Sequence, residues 1–146
     1  MLISRTGQYA IQALVFMGLQ GADAFVNVQD LAKNLDVPAA YLAKVMQVLG
    51  HHGLVSSARG RTGGFRLGMA AADINLMQVL SLVEGEKFHH ECLLGLKQCG
   101  DETACPMHTK WKPIKTELLE VLESQSIALL ALAVSEGKYR LTDIPA

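Results

Sequence analysis

The chain has 146 residues, half of them apolar and 18% charged, which supplies one compact domain and excludes a disordered, charge-rich chain. No apolar run approaches the roughly 18 residues of a membrane span, the longest being Ile127 to Val134, and with no signal peptide at its start a soluble cytoplasmic protein is expected. The net charge of −1 hides an asymmetry: residues 1–70 hold six Lys/Arg against three acids, residues 71–146 seven against eleven, so the first half is expected to meet an anion.

Ala10, Ile11, Leu14, Val15 and Gly18 recur at helical spacing after Ser4-Arg5-Thr6-Gly7, which predicts a first helix over about 5–19, ending near Gly21. Asn27 can cap a second helix with Asp30 in its first turn, where the helix dipole favours negative charge. That helix turns Val28, Leu31, Ala32 and Leu35 inward and stops at Asn34-Leu35-Asp36. Pro38 suits the first turn of a third helix, whose buried stripe is Tyr41, Leu42, Val45, Met46 and Leu49 and which closes at Gly50 to Gly53. Two short helices joined by a tight turn match a helix-turn-helix.

Leu54 to Ala58 then reads as a strand, Arg59-Gly60-Arg61-Thr62-Gly63-Gly64 as a flexible basic tip, and Phe65-Arg66-Leu67 as the returning strand. A hairpin directly after a helix-turn-helix is a wing. Its arginines suit a minor groove or phosphate oxygens, so the candidate DNA-binding residues are Pro38, Ala39, Ala40, Tyr41 and Lys44 at the start of the third helix, with Arg59 and Arg61 on the wing. Asn75 caps a fourth helix, Leu76 to Glu84, with Met77, Leu80 and Val83 facing the winged domain and Gly85 in a left-handed cap. After a cysteine-bearing loop, Trp111-Lys112-Pro113 starts a long helix over about 113–124, with Ile114, Leu118, Val121 and Leu122 on one face. Ser124-Gln125-Ser126 interrupts it, Ile127 to Val134 is apolar nearly all round, and Ser135 to Ala146 reads as a mobile polar tail. A long amphipathic helix beyond a small domain cannot bury its whole stripe, so it is expected to pair with its copy in a homodimer, which implies a palindromic operator on double-stranded DNA. The fold expected is mainly α, divided into a winged head (1–85), a cysteine loop (86–110), and a dimerisation helix with its tail (111–146).

All three cysteines fall in that loop, as Cys92, Cys99 and Cys105, with His108 three residues further on. The pattern C-x6-C-x5-C-x2-H gathers four soft or borderline ligands in a segment too polar to hold itself by packing. A disulfide framework is disfavoured by the odd count. Zinc usually brings a tight C-x2-4-C pair, which is missing, whereas an iron–sulfur cluster spans wider, irregular gaps. A cluster is therefore favoured over zinc, with metal-free redox thiols and a small electron carrier as further alternatives. The chain shows no Gly-rich phosphate loop, paired carboxylates or nucleophile with an adjacent base, so no enzyme is expected.

Ser4-x-x-Gly7-x-Tyr9-Ala10, Val37-Pro38-x-x-Tyr41-Leu42, the wing run from Gly53-Leu54-Val55 through Arg59-Gly60 to Gly63-Gly64-Phe65-x-Leu67, and the three cysteines together resemble the Rrf2 family of bacterial transcription regulators, nearly end to end. The resemblance implies a winged helix-turn-helix with a long dimerisation helix. It also implies an iron–sulfur cluster whose state governs operator occupancy. In the branch that regulates iron–sulfur assembly, three cysteines and a histidine ligate; carried over, these are Cys92, Cys99, Cys105 and His108 around a [2Fe-2S] cluster. In the nitric-oxide-sensing branch a carboxylate near the start of helix 1 of the partner completes a [4Fe-4S] cluster, and here that region offers Gln8. Ala43 stands where the assembly regulator carries a base-reading glutamate, which leaves the operator sequence open. His89 and His90 are rival nitrogen ligands.

Overall fold

The structure, a computed structural model, describes residues 3–142 apart from the Lys87 side chain. Six helices and one hairpin follow in the order α1 (Arg5–Leu19), α2 (Val28–Leu35), α3 (Ala39–His51), β1 (Val55–Ala58), β2 (Gly64–Leu67), α4 (Leu76–Glu84), α5 (His108–Ser124) and α6 (Ile127–Ser135), with short 3-10 turns at Ala71–Asp73 and Glu86–His89. This is the mainly α winged helix-turn-helix expected.

The sequence motifs acquire physical reasons. Ser4 caps α1 by accepting from the Gly7 N–H at 3.1 Å, and its own backbone N–H donates to Glu84 Oε1 at 3.0 Å, placing a carboxylate at the positive end of α1. Gly7 permits this approach of α4, since a Cβ there would lie 2.7 Å from Glu84 and 2.8 Å from Leu80. Asn27 caps α2 through the Gln29 N–H at 2.7 Å, and Asp36 ends that helix in the left-handed conformation at φ 55°. Pro38 falls one position earlier than expected, at the N-cap of α3 with an extended backbone, rather than inside its first turn.

The wing pairs Val55 with Leu67, Ser56 with Arg66, Ser57 with Phe65 and Ala58 with Gly64. Reciprocal bonds between Val26 and Phe65, at 2.7 and 2.8 Å, add a third short strand-like segment and tie the wing to the approach to α2. The core gathers Leu14, Leu31, Leu42, Met46, Leu49, Ile74 and Val79 from α1 to α4.

Three elements differ from expectation. The long helix begins at His108, five residues before the expected start, and carries Pro113 inside it. Its first turns make side-chain contacts to the cysteine loop, described below, while the proline removes one backbone bond of the helix. The apolar stretch after the interruption is a separate helix: Ile127 N–H donates to Ile74 O at 2.8 Å and Leu76 N–H to Gln125 O at 3.0 Å, so α6 turns back onto α1. Gly18 lies along this contact, where a Cβ would meet Ala131 and Ile127 at an ordinary 3.5 Å. Finally, Met77 and Leu80 form a second cluster with Leu122 of α5, while Val83 packs on the main core; Gly85 takes the positive φ expected at the helix end, 85°, with ψ at 167°. The last four residues of the expected tail lie outside the described residues.

Candidate metal centre and nucleic-acid interface

The loop between α4 and α5 folds so that the sulfurs of Cys92, Cys99 and Cys105 all lie within 4.8 Å of one another. Cys92 and Cys105 are 3.5 Å apart. Cys99 Sγ lies 3.4 Å from Nδ1 of His108, the first residue of α5. Thus all four sequence candidates are brought together, in two close pairs. Cys105 is buried and the other three are half-buried.

Thiols at this spacing cannot all ionise without a cation, because each new thiolate faces the last. The two shifts show the conflict. Backbone donors at Leu96 and Leu94 and the facing thiols hold Cys92 down to about 7 despite its burial. At Cys99 the backbone donor of Cys105 pulls down, but burial and the sulfurs of Cys105 and Cys92 outweigh it, and the thiol rises. A bound cation would remove that repulsion.

Around the sulfurs is an open cleft of about 300 Å³, one wall of which is α5. His108, Trp111, Lys112, Lys115 and Leu119 recur at helical spacing and share that face. Among the described residues the buried indole N–H of Trp111 has no hydrogen-bond partner, which fits an acceptor such as a metal-bound sulfur or sulfide in the cleft. Burial lowers the Lys115 ammonium against the upward pull of Glu91, Cys92 and Cys99, and its Nζ donates to the Glu91 carbonyl at 3.1 Å. Asp101 bridges His108 Nε2 at 2.9 Å and Lys112 Nζ at 2.8 Å, and the pair, Lys112 foremost, holds its carboxyl below the usual range. The donor set and the orphaned N–H both suit a thiophilic metal or a cluster.

Sequence reasoning missed Asp101, Trp111, Lys112 and Lys115. Placing the helix start at Pro113 hid the spacing of Trp111, Lys112 and Lys115 from His108, which is i+3, i+4 and i+7 on one helix. Of the rival histidines, His89 is tied through Nε2 to the Ser81 hydroxyl at 2.6 Å, and His90 is exposed at the edge of the cleft.

In the winged head, the exposed start of α3 presents Pro38, Ala40, Tyr41 and Lys44, while Ala39 is half-buried against the core. Tyr41, expected on the buried stripe, is 36% exposed. Its ring meets Tyr9 edge-on at 6.0 Å and its hydroxyl bonds Thr6, so α1 braces the start of α3. Arg59 and Arg61 sit exposed on a tip turned by Gly60 at φ 101°, and neither forms an ion pair among the described residues. Arg66 instead folds back, 3.8 Å from Asp23 and 4.6 Å above the Phe25 ring.

A helix-turn-helix followed by a basic hairpin defines a winged-helix DNA-binding protein. The family model described as Rrf2, iron-dependent transcriptional regulator, matches residues 3–132, and the chain belongs to that family of transcription regulators rather than to any enzyme class. It is 28% identical over 130 residues to the HTH-type transcriptional regulator IscR of Aliivibrio salmonicida, covering 89% of this chain and 77% of that protein. It is 29% identical over 128 residues to the HTH-type transcriptional regulator NsrR of Bacillus licheniformis, covering 87% and 90%. The solved structure of T. potens IscR superposes with a TM-score of 0.74 at 25% identity, covering 94% of this chain and 91% of that one. No helix among the described residues is long and apolar enough to cross a membrane.

Proposed function

We propose that this protein is a homodimeric cytoplasmic regulator that binds a palindromic operator and whose occupancy of DNA, as a repressor first of all, depends on an iron–sulfur cluster held by Cys92, Cys99, Cys105 and His108. The observation that carries the reading is the convergence of three thiols and an imidazole, from a loop with no packing of its own, onto the start of α5. Residues 1–85 serve as the DNA-binding unit, 86–110 as the cluster loop, and 111–146 as dimerisation helix and tail. Cys92, Cys99, Cys105 and His108 would hold the group, a [2Fe-2S] core being the first choice; [4Fe-4S] is the second choice, with Gln8 a poor ligand where its fourth donor would come from. When bound, the cluster supplies a charge and a redox state that respond to iron, oxidant or nitric oxide. The chain's own part is to order the loop against α5 and thereby set the pose of the winged heads, so that cluster loss shifts the population of DNA-competent dimers.

On DNA, Tyr41 and Lys44 contact phosphates, the start of α3 enters the major groove, and Arg59 and Arg61 reach the minor groove or its phosphates. In Arg59→Ala, operator affinity is expected to fall and the salt dependence of log K to flatten by about one unit, read by fluorescence anisotropy over a salt series.

Anaerobic purification tests the centre: a brown protein with matched iron and sulfide is expected, and its colour should vanish in Cys99→Ala. A second reading has one specific support. Three sulfurs within 4.8 Å also suit a single tetrahedral zinc, whose ligands sit about 3.7 Å apart for bonds near 2.3 Å. A colourless protein with stoichiometric zinc decides for that reading and leaves DNA binding intact.

A further inference from the structure

We infer that Asp101, gripped by Lys112, is a positioning residue that fixes His108 as the nitrogen donor and selects Nδ1 as the atom it offers. This rests on the metal-centre reading above but concerns a residue that is not itself a ligand. The argument begins with α5, on which His108 and Lys112 stand at i and i+4 and so project from one face. Asp101, only two residues after Cys99, reaches that face and meets both: Oδ1 lies 2.9 Å from His108 Nε2, and Lys112 Nζ contacts Oδ1 at 2.8 Å and Oδ2 at 2.9 Å.

A carboxylate gripped by an ammonium through both oxygens offers only acceptors, so the imidazole nitrogen beside it must carry the hydrogen. In a neutral ring, Nε2–H leaves the lone pair on Nδ1, and Nδ1 is the atom 3.4 Å from Cys99 Sγ. The ring is therefore held in the tautomer and rotation that present a lone pair to the sulfur cluster. Histidine ligands commonly pass their second N–H to a carboxylate, which raises the basicity of the ligating nitrogen. The same contact ties the loop after Cys99 to a rigid helix. It also separates His108 from its rivals, for His89 directs Nε2 at Ser81 Oγ, 2.6 Å away, and His90 is exposed.

The test has a metal-free arm and a loaded arm, on Asp101→Asn, Asp101→Ala and Asp101→Glu in the full-length protein. Long-range nitrogen–proton NMR of the metal-free protein, with His108 assigned by its loss in His108→Gln, should show the Nε2–H tautomer in wild type and a mixture in Asp101→Ala. In iron-loaded protein, Asp101→Ala and Asp101→Asn should raise the reduction potential, because a negative charge beside the imidazole is lost. Asp101→Ala should also release iron to a chelator about tenfold faster, and Asp101→Glu should restore part of both. An Nδ1–H tautomer in wild type, or potentials and release rates unchanged across the series, overturns the proposal. Failure to take up any metal would instead overturn the cluster reading, while the tautomer measurement still decides the role of Asp101.

Discussion

At Gly64 the backbone sits at φ 140°, and a Cβ would meet the Val26 carbonyl oxygen at 2.2 Å. That carbonyl accepts the Phe65 N–H, so the missing side chain lets the wing lie against the segment leading into α2. Gly64→Ala is expected to destabilise by about 2 kcal/mol or more, read as a lower urea midpoint. Gly50 gives the opposite sign. It lies near the end of α3, and a Cβ there meets Val55 at an ordinary 3.6 Å, so Gly50→Ala should stabilise by about 0.5 kcal/mol through the helix propensity of alanine. The sequence marked both as glycines near turns and could not tell them apart, because the difference is which carbonyl the fold brings across.

Among the elements, α5 has two apolar faces with different fates. Leu122 is buried against Met77 and Leu80 of α4, whereas Ile114 and Val121 are 56% and 51% exposed. As expected, α5 does not bury its whole stripe within its own chain: part is covered by α4 and part is left exposed. Leu122→Ala should cost about 2–4 kcal/mol in stability. Val121→Asp, made with Ile114→Asp, should leave the denaturation midpoint nearly unchanged and shift the light-scattering mass toward the monomer; an unchanged mass would place the subunit interface elsewhere. Helices α1, α2 and α4 were legible nearly to the residue, because each carries a cap of its own in Ser4, Asn27 and Asn75, the last with a reciprocal bond from Gln78. The start of α5 was not legible. Met107 makes no side-chain cap there, and what begins the helix is a set of contacts from Cys105 and Asp101 that local propensity does not contain.

Over the whole molecule, the basic wing and the helix proposed to read DNA stand in the first half of the chain, and the thiol centre sits between α4 and α5 in the acidic second half. If the centre governs the pose of the heads, removing iron with a chelator should change operator affinity while the far-ultraviolet circular dichroism keeps its helical signal. An affinity indifferent to iron would separate the centre from DNA binding. The sequence by itself determined the winged helix-turn-helix, the basic tip and the four candidate ligands, because these depend on short-range patterns: helical periodicity, caps, glycine turns and cysteine spacing. Tertiary structure alone decided that the three sulfurs and the His108 imidazole gather in two close pairs, that Tyr41 is braced by Thr6 rather than buried, that α6 returns to α1, and that Asp101 reaches His108. Each of those depends on side chains that the backbone carries together from different elements, or across a loop with no period of its own, and no local pattern records the distance between them.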